Sequence, residues 1–526
     1  MDIRNPAGLL STIFRLNYGA GGCKERMKAI SLRFPQTGVV LVALIFIAMF
    51  FITALPRFLY PYDLDFIEDS MLMESLRIAQ GQPVYVPPNA DFNPHVYMPL
   101  FLWLGGMLFK IGYTSLPLLR SISLGATLAT TILIYWIAKN ESGLHWIAIT
   151  CAGLFLAGYR INGFWYEVAR VDALFVAFTL GGLALAIYAG DSNWKIILSA
   201  IMLSLAAFTK QTGFVVAIGL ATYMFIRIGR RAWFFAIIFS SLTVIPLLVL
   251  NWNTNGWFFY HVFRIGSADP IEMSRLVNFI TKEVFGVMAG LSLSATIVGI
   301  LGARQAGLNI LRVQPWLIGI GLAIAISGIG RIRVGGNLNN RIPAYALLCL
   351  APALLMQVST YPFSSIEGTG KGNAIRYRDW LISSLILIQF ILCRYYPPRY
   401  IPTTGMRQSG DHLIQRINSF HDRVLVMMHP YYTVLAGKDP STQIATLWYV
   451  RERGSLPLPD DFVNRIRSHY YSVIISDEST FETQADLHEL ILTYYDQSEL
   501  LDSSQAPPTI TGVVIKPKVI YLPKQP

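Results

Sequence analysis

Four carboxylates, Asp63, Asp65, Glu68 and Asp69, fall within seven residues of the stretch YPYDLDFIEDSMLMESLRIAQGQ (60–82). They follow directly on an apolar run, Thr37–Tyr60. Acids crowded at a membrane surface repel one another and lose solvation unless something needs them there. Asp65 and Glu68 are three residues apart, so one helical turn could direct both to a common space as proton acceptors. A plainer reading is a solvated loop that starts a helix, with Asp69 or Ser70 capping Met71–Gln80. Asp69 suits the cap, and Asp63 is a further candidate acid.

Other polar residues sit where an apolar chain has no structural need of them. One group is Arg160, Glu167, Arg170 and Asp172 in GYRINGFWYEVARVDALF; another is Lys210 in AAFTKQTGF. A third is Arg331, Arg333 and Arg341 in GRIRVGGNLNNRIP, with Asn337, Asn339 and Asn340 among them. The arginines are candidates for snorkelling to an interface. Asp172 opens an apolar helix, where capping and the helix dipole both favour an acid. Lys210 has no acid near it in sequence. Taken together, these residues describe a cavity with carboxylates on one side and cations on the other. Arg and Lys clamp phosphate oxygens, and a carboxylate can deprotonate a hydroxyl while charge on a leaving phosphate is stabilised. A lipid-linked phosphate held at the membrane surface fits that chemistry.

The elements that position these residues are mostly apolar helices. The chain has 526 residues, 53% hydrophobic and 14% charged, against about 25% charged in soluble proteins. Apolar runs long enough to span a bilayer recur from Gly38 to Leu392. The basic segment 1–37 (Arg4, Arg15, Lys24, Arg26, Lys28 and Arg33) predicts a cytoplasmic N-terminus. With no cleavage site after the first run, that run reads as a signal anchor. The short segment Tyr97–Ile111, with Pro99 and Gly105–Gly106, decides the topology. If it lies in the outer interface, Lys139, Lys195, Arg227–Arg231, Arg304, Arg312 and Lys371–Arg378 all fall inside, as the positive-inside rule prefers.

The expected fold class is therefore an α-helical polytopic membrane protein with a juxtamembrane helix and about eleven spans: 38–60, 119–138, 145–159, 171–189, 196–209, 213–228, 232–250, 284–303, 315–330, 342–360 and 380–396. Segment 38–396 forms the membrane domain, with an outer first loop at 61–118. Residues 397–526 form a soluble α/β domain on the outer face. Its expected strands are Asp422–Met428, Tyr470–Ser476 and Val513–Tyr521; its expected helices are Asp411–Phe420, Asp460–His469 and Gln484–Tyr494. It carries no glycine-rich phosphate loop. The four cysteines, Cys23, Cys151, Cys349 and Cys393, have no metal spacing and suggest no disulfide framework. The net charge of +11 fits a basic membrane protein, and no basic stripe in a soluble domain points to nucleic acid.

The order of these features resembles the GT-C superfamily of polyprenyl-phosphate-sugar glycosyltransferases, which includes protein O-mannosyltransferases and lipid A aminoarabinose transferases. The likeness rests on a first span, an acidic outer loop, a Pro-containing juxtamembrane helix, R-x-D (Arg170–Asp172) opening a span, and Thr209-Lys210 at a span junction. It is nearest to uncharacterised bacterial members with D-[YF]-x-E followed by G-x-P-x-Y, here Asp65-Phe66-Ile67-Glu68 and Gly81-Gln82-Pro83-Val84-Tyr85. The resemblance implies Asp65 or Glu68 as catalytic acid/base and Asp172 as the second-loop acid. It implies Lys210 as a phosphate contact beside Arg170, with Arg341 and Asn337 near the donor. Better-known relatives carry Lys or His-Pro-Pro at the juxtamembrane helix; this chain reads Asn93-Pro94-His95-Val96-Tyr97-Met98-Pro99, which makes His95 and Tyr97 the candidates there.

The implied activity is transfer of a hexose or pentose from a polyprenyl-phosphate-linked donor to an extracytoplasmic glycan, lipid or protein hydroxyl, in the inner or plasma membrane. The sequence requires no cofactor, and the acidic cluster offers oxygen ligands to a divalent metal. A lipid-linked oligosaccharide polymerase or ligase would also use an outer site. A lipid-linked sugar transporter is less compatible, because its charges belong at mid-span and its halves repeat.

Overall fold

The computed structural model describes residues 20–304, 308–359, 371–477 and 484–525. Arg4 and Arg15 of the basic N-terminal segment, and residues 361–370 of the late basic connection, lie outside the described residues.

Helices occupy the apolar runs: Ala20–Phe58, Leu116–Ser142, His145–Ala157, Val171–Ile187, Asn193–Thr209, Gly213–Ile228, Ala232–Asn253, Ala289–Arg304, Leu308–Arg331, Ile342–Leu348 leading into Ala351–Val358, and Lys371–Cys393. They overlap the expected spans, although among the described residues five are long and apolar enough to cross a membrane, or seven if each bent pair counts as one span. Gly213–Asn253 is one continuous apolar stretch, but the Phe214 and Phe239 rings meet at 6.1 Å. The chain therefore reverses at Gly229–Arg231, and this stretch holds two helices folded back on each other.

The connections gather at two ends. At one, Arg231 pairs with Asp191 and Asn193, and Glu141 accepts from Tyr188 and from the indole of Trp316. At the other, Arg57 pairs with Glu167, Lys210 reaches Asn340, and Arg341 donates to Ile161 O. The first loop belongs to this second end. Arg120, at the start of Leu116–Ser142, donates to the carbonyls of Arg57, Tyr60 and Tyr62. The chain thus leaves after the first span and returns beside it. The helix between, Leu100–Ile111, therefore does not carry the chain to the opposite end.

The C-terminal part forms a four-stranded sheet in the order β1-β2-β4-β3, from β1 (Arg423–Val426), β2 (Tyr471–Asp477), β3 (Tyr495–Leu500) and β4 (Pro517–Pro523). β1 and β2 are parallel, and the other pairings are antiparallel. Of the expected strands, Val513–Tyr521 starts later than anticipated. β3, YDQSEL, lies outside the expected strands: it is a polar edge strand, whose charges protect an open edge and hide it from a hydrophobic pattern. Helices Thr404–Ser419, Asp460–Arg467 and Ala485–Tyr494 lie close to expectation, whereas Pro430–Leu435 and Ile444–Glu452 are additions.

This domain is clipped to the first loop. Ile510 N and Thr511 N both donate to Leu64 O, and Gln443 donates to Phe66 O. His429 lies buried between two carboxylates, with Nδ1 2.8 Å from Asp63 and Nε2 3.3 Å from Asp477, and Tyr432 donates its hydroxyl to Asp63. Burial alone would lower the His429 pKa; Asp63 and Asp477 override it and hold the value well above 6.5. Burial likewise works against the Asp63 carboxylate, yet His429 brings its pKa below the usual range. The stabilisation from a raised His pKa is complete below pH ~6.5 and is lost as pH rises through the raised value. The thermal midpoint is therefore expected to fall on the alkaline side. In His429→Gln it should be lower at pH 6 and nearly independent of pH across that limb, as read by thermal unfolding from pH 5 to 10.

Candidate active site

Asp65 ends an extended segment (φ −137°, ψ 133°) and caps the helix Phe66–Ala79, its side chain accepting from Ile67 N at 2.9 Å. The helix thus starts earlier than Met71, and the cap expected at Asp69 falls to Asp65. Asp69 lies inside the first turn and accepts from Tyr431 N at 3.0 Å. Burial and the neighbouring Asp63 push its pKa well up. The cap occupies only one oxygen of Asp65. Oδ2 receives the Trp165 indole N–H at 2.8 Å and the Arg170 guanidinium at 3.2 Å. Burial raises the Asp65 pKa, and Arg170 partly offsets the rise.

Glu68 does not share that space. Arg120 grips it with Nε–Oε1 2.8 Å and a second contact of 2.6 Å, while Leu64 N and Ala169 N add bonds of 2.7 Å each. Four donors fill the acceptor sites of one carboxylate, and both partners are fully buried. The idea that one turn points Asp65 and Glu68 into a common cavity is corrected: Glu68 folds back over the start of its own helix.

Arg170 precedes Val171–Ile187, and Asp172 lies in its first turn. Arg170 reaches Asp65, donates to the Tyr97 hydroxyl at 2.5 Å and lies 3.6 Å from Asp172. Lys210 ends Asn193–Thr209; its Nζ is 2.7 Å from Asp172 and 3.0 Å from Asn340 Oδ1. Asn339 donates to the other Asp172 oxygen at 2.9 Å. Lys210 has an acid partner after all, 38 residues earlier in the chain. Asp172 stands behind the cavity and sets its cations in place; Arg170 and Lys210 line it.

The cavity measures about 490 Å³, within the range of small-molecule sites. Asp65, His95, Tyr97, Arg170, Lys210 and Asn337 all line it, as do Asn339 and Asn340. The Oδ1 of Asn337 accepts from Leu338 N, and its amide faces the space. His95 stacks on Tyr97 at 4.8 Å, and its Nδ1 accepts from Val96 N. Burial, then Arg170, push its pKa down to about 3, so the ring is neutral with hydrogen on Nε2.

Arg341 is the other correction. It pairs with Glu283 at 2.7 Å, the acid that also binds Arg331, and does not line the cavity. Arg333 does, donating to Ser267 O while it faces the space. Trp165, Gln211, Asp269 and Tyr449 were not singled out in the sequence. Gln211 adjoins Lys210 and ties the juxtamembrane segment down through Val96 O and Val262 O. Asp269 pairs with Arg453 of the C-terminal domain at 3.2 Å. No signal short of three-dimensional placement marks Asp269 or Tyr449. Among the described residues, no three or more His, Cys, Asp or Glu side chains converge as metal ligands. Of the first-loop acids, Asp63 pairs with His429, Asp65 with Arg170, Glu68 with Arg120, and Asp69 accepts from Tyr431 N.

These features describe a membrane protein of the GT-C fold, with its cavity at the junction of the span ends and an appended domain. The chain is similar to the crystal structure of ArnT, a lipid A aminoarabinose transferase, from Cupriavidus metallidurans bound to undecaprenyl phosphate. The TM-score is 0.56 at 10% identity, over 92% of this chain and 98% of that one. It is also similar to the oligosaccharyltransferase AglB from Archaeoglobus fulgidus in complex with an inhibitory peptide and a dolichol-phosphate, with TM-score 0.53 and 12% identity over 88% and 72% of the two chains. Both are GT-C superfamily members. At such identity the likeness is one of fold. No family model and no curated protein matches the sequence.

Proposed function

We propose that this protein is an integral-membrane glycosyltransferase that moves a sugar from a polyprenyl-phosphate-linked donor to an acceptor hydroxyl outside the cytoplasm. The observation that carries this reading is Asp65: a buried carboxylate with a raised pKa, at the wall of a cavity whose other polar residues include Lys210, Arg170 and Arg333. The structural neighbours bound to undecaprenyl phosphate and dolichol-phosphate support a lipid phosphate as the group those cations hold.

Lys210, fixed by Asp172 and Asn340, and Arg170, fixed by Tyr97, meet the phosphate oxygens. The amide of Asn337 is a donor for the sugar, and the stacked His95 and Tyr97 rings wall that side of the cavity. Asp65 takes the acceptor proton as the acceptor oxygen bonds to the anomeric carbon. The bond from that carbon to the phosphate oxygen breaks, and the lipid phosphate departs with both electrons, its charge met by the cations. One displacement inverts the anomeric centre. We place the N-terminus in the cytoplasm and the cavity and C-terminal domain on the opposite face of the inner or plasma membrane. Labelling of single cysteines near Arg230 from outside would overturn that placement.

The test is transfer of radiolabelled sugar from purified polyprenyl-phosphate sugars by the purified protein. A monosaccharide donor should turn over; turnover of oligosaccharide donors alone would instead support a ligase. Lys210→Gln is expected to raise the donor KM about 10- to 100-fold, the loss of one charge-assisted hydrogen bond of about 1.5–3 kcal/mol. An unchanged donor KM would remove Lys210 from the phosphate site.

A further inference from the structure

The polar groups around Asp65 leave one direction unaccounted for. Ile67 N holds the cap oxygen from below, while Trp165 and Arg170 approach Oδ2 from the membrane-domain side. On the remaining side lies a loop of the C-terminal domain, Thr509–Ile515. It is closed on itself by Thr509 N to Ile515 O at 2.9 Å and by the Thr509 hydroxyl, and fastened to the first loop through Leu64 O. Arg57 adds a bond of 2.7 Å to the Thr511 hydroxyl.

At its tip is Gly512, exposed and with φ +73°. A Cβ at this position would lie 2.9 Å from Asp65 Oδ2 and 2.9 Å from Trp165 Cζ2. Neither neighbour can yield easily. The Trp165 ring is backed by Gly163 (φ +77°), where a Cβ would come within 2.5 Å of the same indole. The indole is thus held between two glycines, one from each domain, with its N–H on the carboxylate. The absence of a side chain at Gly512 is what leaves room next to the carboxylate oxygen.

We propose that Thr509–Ile515 is the acceptor-side wall of the site and that Gly512 is its specificity-determining position. This rests on the glycosyltransferase reading with Asp65 as base. In a single displacement the acceptor and the leaving phosphate stand on opposite sides of the anomeric carbon. The cations that hold the phosphate, Arg170 and Lys210, are at the ends of membrane-domain helices. The acceptor must then approach Asp65 from the C-terminal domain. Thr509–Ile515 contains no charged residue, and Val513 and Val514 are 53% and 67% exposed beside the glycine. Val513 also lines the cavity. Such a wall suits an uncharged hydroxyl on a neutral or apolar carrier.

The experiment uses the full-length protein in lipid vesicles, a radiolabelled polyprenyl-phosphate sugar, and ethanol, butanol or octanol as the acceptor. It records alkyl glycoside formed and free sugar released by water. Gly512→Ala is expected to lower the ratio of octyl glycoside to hydrolysis at least tenfold, and Gly512→Val further, because water is the smallest acceptor. Gly437→Ala controls for backbone strain: φ there is +72°, and a Cβ would meet nothing within 4 Å, so its ratio should equal that of the wild type. Parallel falls in transfer and hydrolysis, or an unchanged ratio in Gly512→Val, overturn the acceptor assignment and leave Asp65 as base. So does a wild type that hydrolyses donor but forms no alkyl glycoside. A wild type that turns over no donor overturns both readings.

Discussion

Asp65→Asn is expected to lower sugar transfer about 10²- to 10⁴-fold, the range for removing a positioned general base, while the protein still folds. The substitution separates chemistry from structure because Asn caps a helix about as well as Asp. Its carbonyl can keep the bond to Ile67 N that Asp65 now makes at 2.9 Å. Its amide nitrogen then faces the Trp165 N–H and Arg170, a mismatch of about 1–3 kcal/mol. Arg170 retains Tyr97 and Asp172. A loss of that size lowers the thermal midpoint without emptying the folded state, so activity per mole of folded protein reports the missing base.

The pH dependence carries the same signature. Burial raises the Asp65 pKa, and the base form exists only above it. Wild-type kcat should therefore rise with pH through a value above the ordinary carboxylate range, and Asp65→Asn should lack that limb. An Asn variant retaining more than a tenth of wild-type kcat would remove Asp65 from the role of base.

Asp65 and Glu68 illustrate what a sequence exposes and what it hides. A run of about 20 apolar residues is a local property, and the helices fell where composition put them. The place of Leu100–Ile111 also followed, because the charges of distant connections balance only if it does not cross. The partners of the acids are not local. Arg120 reads as a basic residue at a span end, yet it lies 52 residues from the glutamate it neutralises. Arg341 stands in the same loop as Arg333, and only the placement of Glu283 separates the structural cation from the one facing the cavity. The cap was misplaced because Met71 begins the evident apolar pattern. Phe66 and Ile67 continue the helix backwards because Ile67 joins the same core as Met71 and Leu72, while Phe66 also packs on the core of the C-terminal domain. Trp165 and Gly512 come together from positions 347 residues apart in the chain, and no spacing rule reaches that far.

Glu68 carries the other large effect, and it falls on folding. Arg120→Ala leaves the Glu68 carboxylate buried with only two backbone N–H donors, from Leu64 and Ala169. Removing one partner of a buried ion pair costs about 3–5 kcal/mol, against a total of about 5–15 kcal/mol for a typical domain. Four carbonyls, of Arg57, Phe58, Tyr60 and Tyr62, lose a bond from Arg120 in the same step. These are the bonds that bring the chain back beside its first span, so the loss loosens the start of the acidic loop, which its contacts with the C-terminal domain still hold. Glu68→Gln should cost less, because it keeps the shape and part of the bonding while one amide hydrogen faces a donor. The expected order of thermal midpoints in detergent is wild type, then Glu68→Gln, then Arg120→Ala, the last recovered mainly as aggregate. The Glu68→Gln molecules that do fold should transfer sugar with a kcat within a few-fold of wild type, because this carboxylate does not reach the cavity. A well-folded Glu68→Gln with kcat as low as that of Asp65→Asn would return Glu68 to the chemistry and show that its bonds to Arg120 open during turnover.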